Sequence, residues 1–102
     1  MITADFAIMP VGSETTELKE YIAVAVREIK KSNLNYQLTG MGTQIEAENL
    51  EELYKVITKA QEALFKYGAS RAYSIIKIDD RRDKENRVLD AKIKSVNDIL
   101  EK

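Results

Sequence analysis

Eight residues near the start of the chain, Ile2-Thr3-Ala4-Asp5-Phe6-Ala7-Ile8-Met9, show the two-residue alternation that is typical of a β-strand. Successive side chains of a strand point to opposite faces of its sheet. One face of this strand therefore carries Ile2, Ala4, Phe6 and Ile8, and the other carries Thr3, Asp5, Ala7 and Met9. Pro10 and Gly12 follow and predict the end of the strand.

The next segment predicts an amphipathic helix that is capped by Ser13 or Thr15. Lys30 and Lys31 suit the negative end of its dipole, and Asn33 can end it. Its apolar residues recur with the 3.6-residue period of one helix face: Leu18, Ile22, Ala25, Val26 and Ile29. The chain therefore begins with a β-α unit.

A hairpin is predicted next, with strands at 36–38 and 43–48. They are joined by the turn Thr39-Gly40-Met41-Gly42, whose two glycines permit a positive φ. The turn could also bind an anion through backbone N–H groups, but it lacks the lysine and the following helix of a nucleotide-binding P-loop. A plain hairpin turn is the simpler interpretation.

A second helix follows the hairpin, with Asn49 as its cap, Glu52 as the capping-box partner and Gly68 just past its end. A fourth strand is predicted at 71–79, and a last helix from about Asn86. The apolar stripes of the two helices are Leu53, Val56, Ile57, Ala60, Leu64 and Tyr67 for the second, and Leu89, Ile93, Val96 and Leu100 for the last.

The element order β-α-β-β-α-β plus one helix is that of the ferredoxin-like α+β fold. We expect one domain over residues 1–102, an antiparallel sheet of order 4-1-3-2, and both long helices on one face of it. That face would carry Phe6, Ile8, Ile45, Ile76 and Ile78.

Composition excludes several classes of function. The chain has 16 basic and 17 acidic residues, so there is no basic excess for nucleic acid. No apolar run is long enough to span a membrane, and residues 1–5 lack the features of a signal peptide, so we expect a cytoplasmic protein. Cysteine and histidine are absent, which removes thiol catalysis, Ser-His pairs and Cys/His metal sites. We therefore expect no cofactor and no catalytic residue.

Two helices leave the second sheet face uncovered, and its side chains are too apolar at Met9, Tyr73 and Ile75 to favour full exposure. The face could stay in water, as one face of an antiparallel sheet often does, or be covered by the last helix or by a second copy. We expect a homo-oligomer, with a tetramer built as a dimer of dimers as the form.

Charged residues suggest two further sites. Asp5 in the central strand needs a partner, and Lys77 on the next strand is a candidate, either as a structural ion pair or beside an amino-bearing ligand. The run from Asp79 to Glu85 is best interpreted as a salt-bridged strand end, and a metal site at Asp79, Asp80 and Asp83 is opposed by the two neighbouring arginines.

The chain resembles the YkoF-like family of small thiamine-binding proteins. The resemblance is carried in order by three segments: Ile8–Gly12, Tyr36–Thr43 with Ile45-Glu46, and Lys77–Asp83. It implies a ferredoxin-like fold, a tetramer that assembles through sheet faces, and binding of thiamine or its hydroxymethylpyrimidine moiety without catalysis. The family usually has proline where Gly40 stands and glycine where Ala47 stands.

We expect the ligand near the hairpin turn, where an acidic side chain would accept a hydrogen bond from the exocyclic amine of the pyrimidine and Met41 would pack on the ring. In the expected sheet order Asp5, Glu46 and Tyr73 can approach one another, whereas Thr43 and Ser74 point to the other face. The predicted ligand-binding residues are Asp5, Thr39, Met41, Gly42, Thr43, Glu46, Tyr73 and Ser74. The alternatives are a protein-interaction module with a vestigial pocket, and an enzyme that uses Asp5 or Glu46 as acid and base.

Overall fold

The computed structural model describes residues 1–12, 18–83 and 89–102. Its strands form one antiparallel sheet in the order β2-β3-β1-β4, which confirms the predicted α+β fold and the 4-1-3-2 order. The predicted caps at Ser13 and Thr15 and the predicted helix start at Asn86 lie outside the described residues. The elements are β1 (Ile2–Pro10), α1 (Leu18–Lys31), β2 (Tyr36–Thr39), β3 (Gly42–Ala47), α2 (Leu50–Tyr67), β4 (Ala72–Asp80) and α3 (Leu89–Leu100).

The alternation of β1 separates the two faces of the sheet as expected. Ile2, Ala4 and Phe6 are almost completely buried, and α1 and α2 pack on this side of the sheet and on each other. We call it the helix face. The core beneath the two helices also contains Ile45 and Ala47 of β3 and the apolar stripe of α2 from Leu53 to Leu64. None of the described helices combines the length and apolarity needed to cross a membrane.

Helix α1 is rotated relative to the predicted stripe. Ala25 and Ile29 are buried as expected, but Leu18 and Ile22 are exposed and Tyr21 is buried in their place. The ring of Tyr21 packs edge-on against Tyr67 of α2, with centroids 5.2 Å apart and planes at 80°. This aromatic contact, favourable in that geometry, turns α1 so that Ile22 faces the hairpin turn rather than the core.

The predicted helix ends are confirmed, with one change. Asn33 has a φ of +65° after α1, and Gly68 has a φ of +121° after α2. The Asn49 side chain accepts a hydrogen bond of 2.8 Å from the Glu52 N–H. The Glu52 carboxylate accepts one from the Glu48 N–H at 3.3 Å, one residue earlier than a capping box predicts.

The hairpin turn closes differently from the expectation. Neither Gly40 nor Gly42 has a positive φ, and β3 already begins at Gly42. The Thr39 hydroxyl holds the turn instead, because it donates to the Gly42 carbonyl oxygen at 2.8 Å and accepts from the Met41 N–H at 3.3 Å. Gly42 is required for close packing: a Cβ atom there would lie 3.0 Å from the Phe6 carbonyl oxygen.

Helix α3 lies over the second face of the sheet, which we call the open face. Its Lys92 ammonium is 2.9 Å from the Asp79 carboxylate at the end of β4. The third helix therefore approaches one end of this face without burying it, because Ile93 and Val96 of α3 remain 44% and 57% exposed. At the other end Met9, Tyr73 and Ile75 remain exposed.

Candidate functional site

The strand register brings polar side chains together on the open face of the sheet. Asp5 of β1 lies directly between Gln44 of β3 and Lys77 of β4. Two residues earlier in β1, on the same face, Thr3 lies between Glu46 and Asp79. The sequence-based pairing of Asp5 with Lys77 across neighbouring strands is thus confirmed as a register.

A cavity of about 570 Å³ separates this polar floor from α3. We call it the α3 cavity. Its roof is formed by Ile93, Val96 and Asn97 of α3. Its floor and rim are formed by Thr3, Ala4, Asp5, Gln44, Lys77, Ile78, Asp79 and Lys92. The cavity thus joins a largely apolar roof to a floor and rim with two carboxylates, two ammonium groups and one amide, and two of these charged groups, Asp79 and Lys92, pair with each other.

The Asp5 carboxylate is half-buried and has no hydrogen-bond or ion-pair partner within the described part of the chain. The structural ion pair with Lys77 that the sequence suggested does not form, because the exposed Lys77 ammonium stays beyond 4.0 Å. Gly42 makes room on the other side, since a Cβ atom at that position would lie 3.4 Å from Oδ1 of Asp5. Asp5 therefore keeps its full capacity to accept hydrogen bonds.

Glu46 and Tyr73 share the open face with Asp5 but do not line the α3 cavity. Glu46 is only 7% exposed and lies opposite Thr3. Tyr73 lies opposite Met9, four residues along β1 from Asp5, which is about 13 Å at the usual rise of a strand. The expected approach of Asp5 and Tyr73 is therefore wrong. The alternation of side chains places both on one face, but the strand register separates them along the sheet.

Four of the predicted residues, Thr39, Met41, Gly42 and Thr43, line a different cavity of about 240 Å³. It lies on the helix face between α1 and the hairpin turn, and we call it the turn cavity. Thr43 is 4% exposed and forms part of its wall, whereas Met41 is 89% exposed at its rim. Met41 therefore lies at the rim of the turn cavity, whereas Asp5 lines the α3 cavity.

Ser74, the last of the predicted residues, also points to the helix face. Its hydroxyl donates to the Gln61 Oε1 atom of α2 at 2.9 Å, so it fastens β4 to that helix. The eight predicted residues are thus divided between two cavities, with one and four residues, and three further positions. Gln44, which lies beside Asp5 on the open face, was not among the predicted residues, and nothing local in the sequence showed that α3 would pass above the two.

The charged end of β4 is a salt-bridged surface, as the sequence indicated. Asp79 pairs with Lys92, Asp80 with Arg82 at 2.8 Å, and Asp83 with Arg81 at 2.7 Å. Hydrogen bonds from the Arg82 guanidinium lower the pKa of the Asp80 carboxyl. Among the described residues, no group of three or more acidic side chains is placed to hold a metal ion.

Comparison with known proteins gives consistent matches over nearly the whole chain. Residues 4–97 match the family described as thiamine-binding protein. A UPF0045 protein of Methanothermobacter thermautotrophicus is 44% identical over 100 residues, covering 98% of this chain and all of the relative. The UPF0045 protein YqgV of Bacillus subtilis is 41% identical over 105 residues, covering 99% of each chain.

Solved structures match the fold equally well. The crystal structure of a hypothetical protein of Methanocaldococcus jannaschii has a TM-score of 0.82 at 30% identity, over 94% of this chain and 95% of that one. A Thermotoga maritima protein, provisionally assigned to thiamine biosynthesis or salvage, has a TM-score of 0.79 at 21% identity, over 93% and 97%.

Proposed function

We propose, from the premise that this chain belongs to the thiamine-binding protein family, that it binds thiamine or its hydroxymethylpyrimidine moiety in the α3 cavity. In this proposal the protein holds the molecule and performs no chemistry on it. It works as a cytoplasmic homo-oligomer and needs no cofactor. The provisional assignment of the Thermotoga relative to thiamine biosynthesis or salvage is consistent with this role.

The observation that carries the proposal is the unpartnered Asp5 carboxylate on the floor of a cavity with an apolar roof. A hydrogen bond from a ligand to this carboxylate contributes more binding free energy than one to a paired carboxylate, because no hydrogen bond within the protein has to be broken first. The exocyclic amine of the aminopyrimidine is such a donor. Gln44 beside it both donates and accepts, which suits the ring nitrogens, and Ile93 and Val96 can contact the flat ring.

Lys77 orients the ligand in this proposal. Lys77 is paired directly with Asp5 across the two strands, so its ammonium would repel the cationic thiazolium if that ring lay beside Asp5. The neutral aminopyrimidine therefore belongs next to Asp5. The thiazolium belongs at the exposed rim beside Asp79, where water screens its repulsion by Lys92, which already pairs with Asp79.

Binding without catalysis is the simplest use of this set of residues. The chain contains no histidine or cysteine, and Glu46, the other candidate acid or base, does not line the α3 cavity. A homo-oligomer is supported by the exposed Met9, Tyr73 and Ile75 on the open face, and a tetramer is the form implied by the family. A protein-interaction module with a vestigial pocket is the second candidate, supported by the same exposed residues.

Isothermal titration calorimetry with thiamine and with hydroxymethylpyrimidine tests the proposal. Replacing Asp5→Asn, which keeps the shape and removes the charge, should weaken binding by about 2–3 kcal/mol, or about a hundredfold. The control is Asp98→Asn, which removes an equally short acid from the outer side of α3. Equal binding by the parent and Asp5→Asn would place the site elsewhere, and no binding of either ligand by the parent would favour the interaction module.

A further inference from the structure

We propose that the turn cavity is a second binding site, separate from the α3 cavity, for a neutral single-ring molecule with one hydrogen-bonding substituent. The two cavities lie on opposite faces of the sheet. Asp5 lines one and the next residue, Phe6, lines the other. A ligand in the turn cavity therefore does not compete for Asp5, and this inference stands or falls independently of the proposed function.

The first argument is the unpaired hydroxyl of Thr43. The residue is 96% buried in the core face of β3, yet its side chain has no hydrogen-bond partner in the part of the chain that the structure describes. Ser74, a hydroxyl on the same face, bonds to Gln61, and Thr39 bonds to the Gly42 carbonyl. Buried polar groups are nearly always paired, so an unpaired one in the wall of a cavity indicates a missing partner.

The second argument is the chemistry of the walls. The described residues that line the turn cavity include no charged side chain, and most are aliphatic or aromatic, among them Phe6, Ile8, Val26 and Ile29. An ion would be buried there without a counter-charge, which is strongly unfavourable. The described walls therefore fit a neutral occupant with an apolar body and a polar group for Thr43.

The third argument is size. The turn cavity has a volume of about 240 Å³, and an apolar cavity of about 150 Å³ is enough to bind benzene. One ring with a short substituent therefore fits this volume. The rim also contains the exposed side chains of Leu18, Leu38 and Met41, which would contact the outer edge of a bound ring.

The test uses 4-methylphenol and toluene as matched probes, because they differ by one hydroxyl. Titration followed by amide chemical shifts in ¹⁵N-labelled protein should place both probes at Ala25, Gly40 and Gly42. 4-Methylphenol should bind about tenfold more tightly than toluene. Thr43→Val, which keeps the shape and removes the hydroxyl, should abolish this preference while still binding toluene.

Two controls separate this site from others. Ser74→Ala removes a hydroxyl that already has a partner and should leave the preference unchanged. Val26→Phe fills the cavity and should abolish binding of both probes, with folding checked by circular dichroism. The inference is overturned if neither probe binds the parent, if the shifts map to α3, or if Thr43→Val keeps the tenfold preference. The last two outcomes can be read even if Val26→Phe does not fold.

Discussion

Replacing Gly42→Ala should destabilise the protein although the backbone at that position is ordinary. A Cβ atom would lie 3.0 Å from the Phe6 carbonyl oxygen, a backbone atom of the central strand that cannot rotate away. Overpacking of this kind costs about 1–3 kcal/mol, and the reduced entropy of the unfolded chain returns about 0.4–1 kcal/mol. We therefore expect a net loss of about 1–2 kcal/mol, or a decrease in Tm of about 4–15 °C for a domain of this size.

Gly40→Ala is the matched control, because it is the same substitution two residues away in the same turn. A Cβ atom there meets nothing within 4 Å and the φ of Gly40 is not positive, so this variant should be neutral or more stable by about 0.4–1 kcal/mol. Thermal and urea unfolding measured by circular dichroism would compare the two. Equal effects of the two substitutions, or a higher Tm for Gly42→Ala, would refute the close approach of β3 to Phe6.

Three more predictions concern other parts of the molecule. Thr43→Val should raise the free energy of unfolding by about 1 kcal/mol in urea titrations, because it removes a buried hydroxyl without a partner, and a decrease would mean that the hydroxyl is bonded in solution. Ile75→Asp on the open face should reduce the sedimentation mass toward the 11.6 kDa monomer, whereas Thr58→Asp on α2 should not, and a monomeric parent would contradict the oligomer. Arg82 lowers the pKa of the Asp80 carboxyl in the folded protein below its unfolded value near 3.8. The stabilisation from this ion pair is therefore complete above the unfolded pKa and is lost as the pH falls through the folded pKa. Arg82→Gln should therefore weaken the acid-side pH dependence of stability, and an unchanged profile would show that the pair does not contribute.

The sequence predicts those features that depend on neighbours in the chain. The alternation of β1, the cap at Asn49 and the stop at Gly68 are local, and all three agree with the structure. The orientation of α1 is not local, because the apolar period fits a stripe through Ile22 and one through Tyr21 almost equally well. The contact between Tyr21 and Tyr67 decides between them, and it forms only after two distant helices pack.

The candidate site shows the same division. Alternation correctly placed Asp5 and Tyr73 on one face, because a face depends only on whether a residue number is odd or even. Their separation along the strand depends on which residues of β1 and β4 pair, and that register is set by the whole sheet. The roof of the α3 cavity was beyond prediction for a related reason: the stripe with Ile93 and Val96 shows that the helix packs, but not on what.

The central position of β1 also determines when this fold can form. Ile2 pairs with Ala47 on one side and with Asp80 on the other, so β1 obtains its last partner only after β4, which is synthesised much later than β1. At about 5–20 residues per second the strand waits for several seconds as an extended, mostly apolar segment. Such a segment tends to pair with another nascent chain, and a charge at its centre opposes that pairing. Asp5 places such a charge at the centre of β1, so the carboxylate that lies unpaired in the folded protein is also placed to oppose pairing between unfolded chains.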